Sequence, residues 1–177
     1  MINFRRRIVL LVLASLLLAG CGFHLRGSQQ FGSQLVGRLY LEEIGSVSVL
    51  QPLRNALKAQ QVQFALTREL AETIVILSDE VLSRRVASVS ASGRVSEYEL
   101  LHSVGLQTIR PEGGVNAGQL VLDAGNLPKV QSVSVARDYT YDETDVLAKD
   151  DEERILRSEM QEELVRHLVL VVFSGLR

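Results

Sequence analysis

Four cationic side chains have the types and spacing expected of a binding site. Arg84, Arg85 and Arg94 flank Ser92-Gly93, a pair typical of turns, and Lys149 lies near the start of a charged stretch. Arginine makes bidentate contacts to phosphate oxygens and lysine supplies a point charge, which favours a small cationic site for phosphate groups. Cationic residues also protect exposed strand edges from pairing with other chains. The sequence leaves both interpretations open.

Patterns typical of catalysis or metal binding do not occur in the sequence. His24, His102 and His167 each lack a cysteine or second histidine at ligand spacing. No nucleophile elbow, Walker loop or dinucleotide fingerprint is found. His102 falls on the apolar face of a predicted strand, where a hydrogen-bonded structural histidine is expected. We therefore predict a protein that is not an enzyme and that needs no metal and no dissociable cofactor.

The single cysteine, Cys21, ends a targeting sequence. Residues 5–7 are arginines, residues 8–18 carry no charge, and residues 19–20 are small. The apolar run is too short to span a membrane, and this order is that of a secretory signal peptide. It resembles a bacterial lipoprotein signal, which implies diacylglycerol on the Cys21 thiol and an acyl chain on its freed amine. An ordinary signal peptide with an incidental cysteine is the alternative.

The anchor and the charge balance indicate where the chain acts. Two or more acyl chains hold a protein stably on a membrane. Gly22 stands where an aspartate favours the inner membrane in Gram-negative lipoproteins, so we expect the outer membrane, periplasmic side. Without residues 1–20 the chain has 16 basic and 21 acidic side chains. This acidic balance argues against nucleic acid as a partner.

Hydrophobic patterns in the first part of the chain predict a strand, a helix and a long hairpin. Residues 38–42 form a short strand, and a helix runs over 49–60 with Ser48 as its N-cap. Residues 73–77 are β-branched and apolar, typical of a buried strand. The chain then passes a turn and continues as an alternating strand over 95–109, which indicates a long antiparallel hairpin.

The second part predicts a further strand and a final helix. Residues 110–129 are rich in turn formers, with a short strand at 120–122. Residues 130–141 alternate again between apolar and polar. Asp150 and Glu153 have the spacing of a capping box at the start of a helix. The predicted buried stripe of that helix comprises Leu156, Met160, Leu164, Leu168 and Val171.

These elements predict an α+β fold. We expect a two-layer sandwich with two helices packed on one face of a mostly antiparallel, four- to five-stranded sheet. The domain organisation follows from the targeting sequence and these elements. Residues 1–20 are a lipoprotein signal peptide, 21–37 a lipidated N-terminus and leader, and 38–177 a single periplasmic domain.

Three stretches carry a resemblance to a known family. They are Gly-Cys-Gly-Phe-His-Leu-Arg at 20–26, Gly93 followed by Glu97-Tyr98, and Leu-Ala-Lys-Asp at 147–150 with Glu152 behind it. Together they resemble the LptE family of outer-membrane lipopolysaccharide-assembly lipoproteins. The layout of strand, helix, strands and helix is similar over essentially the whole chain after the signal peptide.

The resemblance implies a function and a binding site. LptE-type proteins plug the lumen of the outer-membrane β-barrel LptD, assist its assembly and contact lipopolysaccharide. Lys149 matches the family's lysine linked to lipopolysaccharide. The family's second cation lies at the hairpin tip, where this chain has 90–92 (Ser-Ala-Ser), and Arg94 is the candidate replacement, with Arg84 and Arg85 nearby. A generic envelope scaffold lipoprotein without a lipid-binding role is the alternative.

Overall fold

Two helices cover one face of a five-stranded sheet in the computed structural model, which describes residues 37–110, 128–142 and 146–174. The elements are β1 (Arg38–Glu43), α1 (Leu50–Ala59), β2 (Gln63–Phe64), β3 (Thr73–Val89), β4 (Val95–Ile109), β5 (Gln131–Thr140) and α2 (Val146–Ser174). A short 3₁₀ turn at Arg68–Leu70 precedes β3. The α+β class and the two helices on one sheet are confirmed. The strand predicted at 120–122 lies outside the described residues.

The sheet has the strand order β2-β1-β3-β4-β5 and is mixed. β1 pairs in parallel with both β2 and β3, whereas β3–β4 and β4–β5 are antiparallel. The parallel part arises because α1 lies between β1 and the strands that follow it, and a crossover of this kind returns the chain in the same direction. The antiparallel hairpin β3–β4 is the longest pairing.

The main core lies between the helices and the sheet. Alternation in β4 assigns Tyr98, Leu100, His102, Val104 and Leu106 to one face. All of them are buried except Tyr98, which is partly buried and packs against the same core. From α2, Met160, Leu164 and Leu168 are fully buried, and Leu156 and Val171 pack against the same core. A smaller buried cluster on the other sheet face comprises Ala71, Ile74, Ile76 and Ile109.

A bulge in β3 brings a carboxylate beneath α1. Asp79 adopts a positive φ of 53°, and the β3–β4 register shifts between Ser78 and Val81. The bulge turns Glu80 towards α1. Glu80 Oε1 accepts hydrogen bonds from Ser48 Oγ at 2.6 Å and from His102 Nε2 at 2.7 Å, and Oε2 accepts from the Ser48 backbone N–H. His102 is therefore the hydrogen-bonded structural histidine that the sequence predicts.

Two predicted helix caps are wrong. Val49, without a side-chain hydrogen bond, occupies the N-cap position of α1, because the Ser48 hydroxyl is taken by Glu80. From a distant strand, Glu80 thus holds Ser48, the residue that precedes the N-cap of α1. α2 begins at Val146, so Asp150 and Glu153 lie inside the helix, and Glu153 is used by contacts with the sheet instead of a capping box.

The Glu80 carboxylate should stabilise the domain measurably. Burial alone would raise its pKa, but the hydrogen bonds from Ser48 and His102 outweigh burial and lower the pKa below its usual value. Glu80→Ala leaves the Ser48 and His102 donors without their acceptor, and we expect a loss of about 2 kcal/mol in the free energy of unfolding. Urea denaturation at pH 7 measures this. The exposed Glu43→Ala is the control and should change stability by less than about 0.5 kcal/mol. Equal effects of the two substitutions would contradict a stabilising role for the hydrogen bonds from Ser48 and His102 to Glu80.

Candidate functional site

Lys149 lies in the first turns of α2. Its Nζ donates to Glu152 Oε2 at 2.7 Å, and about 21% of its side chain is exposed. The pair joins two residues three positions apart on the helix surface, where ion pairs contribute little to stability and exchange readily for other charged partners. An anionic ligand can therefore replace Glu152 as the partner of the ammonium group.

Arg84 is held at the same end of α2. It lies on the helix-facing side of β3, and its Nη1 donates to Glu153 Oε2 at 2.8 Å. Its guanidinium carbon also lies 4.6 Å from the ring centroid of Tyr98, within the range of a cation–π contact. Glu153 is one helical turn beyond Lys149, so it lies on the same side of the helix. The structure thus places Arg84 at the same end of α2 as Lys149.

Glu153 accepts hydrogen bonds from side chains of two strands and of α2 at this end of the domain. Besides Arg84, Tyr139 Oη donates to Oε2 at 2.5 Å and Arg157 Nε donates to Oε1 at 2.8 Å. Only 12% of the Glu153 side chain is exposed. Burial would raise its pKa, but the hydrogen bonds from Tyr139, Arg157 and Arg84 together lower it to about 2. Burial, followed by the hydrogen bond to Glu153, raises the pKa of Tyr139 to about 12.

Arg85 lies on the opposite face of β3 from Arg84. It donates from Nε and Nη2 to the two carboxylate oxygens of Glu99 at 2.6 and 2.9 Å. Adjacent residues of a strand point to opposite faces, so Arg84 and Arg85 cannot act on one small ligand from the same side. The structure therefore separates Arg85 from the Lys149–Arg84 end.

Arg94 lies at the tip of the β3–β4 hairpin. The turn is closed by hydrogen bonds from the Ser90 N–H to the Arg94 carbonyl at 2.7 Å and from the Gly93 N–H to the Ser90 carbonyl at 2.9 Å. Gly93 has a φ of +79°, which favours glycine at this position. An open depression of about 300 Å³ adjoins the turn, and Ser90, Ser92, Arg94, Val95, Ser96, Tyr141 and Asp142 line it. Hydroxyl and guanidinium groups of this kind suit a sugar or a phosphate group.

Three tyrosines lie between the hairpin tip and the start of α2. The Tyr98 ring centroid is 5.1 Å from that of Tyr141 and 5.8 Å from that of Tyr139. Tyr141 also lines the depression at the tip, while Tyr139 bonds Glu153. The sequence patterns do not identify Glu153 or these tyrosines as site residues. Their signals in the sequence are the four-residue spacing from Lys149 to Glu153 and the alternation of the tyrosines on their strands.

The described residues form neither a metal-binding group nor a membrane-spanning helix. Within residues 37–110, 128–142 and 146–174, no group of three or more His, Cys, Asp or Glu side chains could hold a metal ion. Neither α1 nor the described part of α2 combines the length and the apolar character needed to cross a membrane. Cys21, the predicted lipidation site, lies outside the described residues.

Comparison with known sequences gives consistent matches. The family model described as lipopolysaccharide-assembly, LptE, matches residues 36–170. The LPS-assembly lipoprotein LptE of Pectobacterium atrosepticum is 31% identical over 178 residues, covering 97% of this chain and 89% of that protein. The LPS-assembly lipoprotein LptE of Photorhabdus laumondii is 29% identical over 167 residues, covering 93% and 85%.

Solved structures share the fold. The rare lipoprotein B of Shewanella oneidensis superposes with a TM-score of 0.62 at 21% identity, covering 78% of this chain and 95% of that one. Lipoprotein B of Nitrosomonas europaea gives a TM-score of 0.62 at 25% identity, covering 83% and 87%. Both likenesses support the arrangement of two helices on a mixed sheet.

Replacing the Glu153 carboxylate should destabilise the domain in a pH-dependent way. Because the folded-state pKa is about 2, against an ordinary value of 4.5, its contribution is fully present above pH 4.5 and is lost as the pH falls towards 2. For Glu153→Gln we expect a loss of about 2 kcal/mol at pH 7, with the difference from the unmodified chain shrinking below pH 4.5. Urea denaturation from pH 7 to pH 3 measures it.

The matched control for this substitution is Glu159→Gln on the exposed side of the same helix. It should leave both stability and its pH dependence within about 0.5 kcal/mol of the unmodified chain. A constant difference between Glu153→Gln and the unmodified chain over the whole pH range would show that the carboxylate charge does not hold the helix.

Proposed function

Because the chain belongs to the LptE family of lipopolysaccharide-assembly lipoproteins, we propose that it plugs the lumen of an LptD-type outer-membrane β-barrel, helps that barrel assemble and contacts lipopolysaccharide during its insertion into the outer leaflet. In this proposal the protein has no catalytic role. Diacylglycerol and an N-acyl chain on Cys21 hold it at the outer membrane on the periplasmic side. The family match over residues 36–170, which includes the Lys149 motif, is the observation that carries the proposal.

The surface of the domain suits a barrel lumen. On the sheet face away from the helices, β5 exposes Ser132, Ser134, Ala136 and Asp138. The Arg85–Glu99 ion pair lies on the same face of the neighbouring hairpin. The interiors of outer-membrane barrels are polar, so a plug should bind through hydrogen bonds and matched charges. This face has the small and charged side chains that such contacts need.

The cations divide into ligand-binding and positioning roles. Lipopolysaccharide carries phosphate groups, which favour charge-assisted hydrogen bonds from arginine and lysine. Lys149 pairs with Glu152 near the start of α2, and a phosphate can replace this partner. Arg84 is committed to the mostly buried Glu153, so we assign it the positioning of α2. Lys149 and Arg94 are the proposed contacts, and Arg85 contributes only on the opposite face.

Reversing the charge of Lys149 or Arg94 should weaken lipopolysaccharide binding. For Lys149→Asp and Arg94→Asp separately we expect at least a fivefold rise in Kd, and a larger rise for the double variant, because each loses a charge-assisted contact and gains repulsion. Binding of purified lipopolysaccharide to the full chain in detergent is the measurement, with circular dichroism to verify folding.

Arg154→Asp is the matched control for both substitutions. It reverses the same charge on α2, the helix that carries Lys149, at a position where 76% of the side chain is exposed. The Arg154 guanidinium pairs with Asp151. The Kd of Arg154→Asp should stay within twofold of the unmodified chain. Equal weakening by all three substitutions would indicate a general charge effect and would contradict a site built on Lys149 and Arg94.

Plugging can be tested separately from lipid contact. We expect the full-length lipidated chain to co-purify with an LptD-type barrel, and Lys149→Asp to do so equally well, because one reversed surface charge should not abolish an extended polar interface. Affinity purification from outer-membrane extracts in mild detergent, followed by mass spectrometry, measures this. Recovery of the chain without any barrel protein would favour the generic scaffold alternative.

A further inference from the structure

The two halves of β3 have opposite environments. Every residue from Thr73 to Ser78 is buried, whereas every residue from Val81 to Ala87 is exposed. Within the exposed half, Val81–Val86 pairs with β4 without interruption, and register irregularities lie on both sides of this run. We call Val81–Val86 the free edge of β3. Its six residues have the length of an ordinary strand.

The backbone of the free edge has hydrogen-bonding capacity on the side away from β4. β1 covers β3 only as far as the pairing of Glu43 with Leu77, and among residues 37–110, 128–142 and 146–174 no other strand pairs beyond that point. A strand edge of this kind presents N–H and C=O groups in a row, which is a template for another extended segment. A β-strand from another segment can satisfy the hydrogen-bonding capacity of these groups.

Three of the six side chains along the free edge are apolar, and they are divided between its two faces. Val81, Leu82 and Val86 are 47%, 45% and 50% exposed, respectively. The two cations in the run are directed to partners within the domain, since Arg84 bonds Glu153 on α2 and Arg85 bonds Glu99 on β4. Cations held in this way protect the edge poorly, which weakens the interpretation of Arg84 and Arg85 as guards against strand pairing.

We propose that the free edge of β3 binds an extended segment of the barrel partner by strand addition. The inference rests on the proposed function. Cross-strand neighbours interact side by side, so the segment should have apolar residues opposite Leu82 and Val86. The Arg85–Glu99 pair lies on the other face, which favours a polar residue opposite Arg85. Backbone hydrogen bonds supply affinity and these side chains supply the register.

The small apolar area of the edge favours the barrel over a second copy of the chain. A stable interface buries about 800 Å² on each partner, and three half-exposed aliphatic side chains provide well under half of that. Edge-to-edge pairing of two copies would therefore lack the area for a stable dimer. A barrel that surrounds the domain contacts the rest of its surface as well, and the strand adds to that contact.

Amide hydrogen exchange tests the strand addition directly. We expect about half of the amides in residues 81–86 to exchange at least tenfold more slowly in the barrel complex than in the free lipidated chain, because alternate N–H groups point to the new strand. Exchange at the same rate in both states would overturn the proposal. Failure of the unmodified chain to co-purify with the barrel would instead refute the proposed function, so the two failures are distinguishable.

Lysine substitutions in the free edge of β3 test whether the barrel binds there, and a crosslinker identifies the segment that is bound. The double variant Val81→Lys with Val86→Lys should fold normally and recover at least fivefold less barrel protein. The matched control is Ile155→Lys with Leu170→Lys, at two positions on α2 with similar exposure, and it should recover the normal amount.

A photocrosslinker at Ser83 should join one contiguous segment of the barrel. Crosslinks to a second copy or to residues 21–36, or equal loss in both double variants, would overturn the proposal.

Discussion

Burial of one sheet face beneath two helices is the constraint from which the other features follow. The chain has one cysteine and so cannot form an intrachain disulfide, which leaves apolar burial to offset the entropy of folding. Leu53 and Leu57 from α1 and Leu164 and Leu168 from α2 are fully buried in the same cluster. Because the core uses one face, the other face and the far half of the hairpin remain available for contacts with partners.

Ion pairs between the sheet and α2 fix the rotation and register of this helix on the sheet. Apolar contacts hold a helix on a sheet but fix its rotation and register weakly, whereas charged groups have defined partners. Arg84 and Tyr139 from two strands meet Glu153, and Arg137 from β5 pairs with Glu163, nearly three turns further along α2. These contacts fix α2 at two points along its length. The position of Lys149, one turn before Glu153, is set by the first of them.

Much of the fold could be predicted from local patterns. Alternation in 95–109 identifies the buried face of β4, and the apolar spacing from Leu156 to Val171 identifies the stripe of α2. These predictions succeed because the period of a strand or helix is a property of consecutive residues. The cap assigned to Ser48 fails for the opposite reason: Glu80, 32 residues away, takes its hydroxyl only after the sheet has formed. The β3 bulge that directs Glu80 has no comparably clear signal in the sequence.

The candidate site shows the same division between local and distant information. Adjacent arginines suggest one cationic cluster, but the pleat of a strand places neighbours on opposite faces, and the structure assigns Arg84 to α2 and Arg85 to Glu99. The geometry of a strand alone excludes a cluster in which Arg84 and Arg85 lie on the same face. It could not indicate that Arg84 would bond Glu153, one helical turn beyond Lys149, because that requires the packing of α2 on the sheet. A site composed of residues from separate elements is therefore determined by the core that holds those elements together, and its charges can be assigned roles only after their partners within the domain are known.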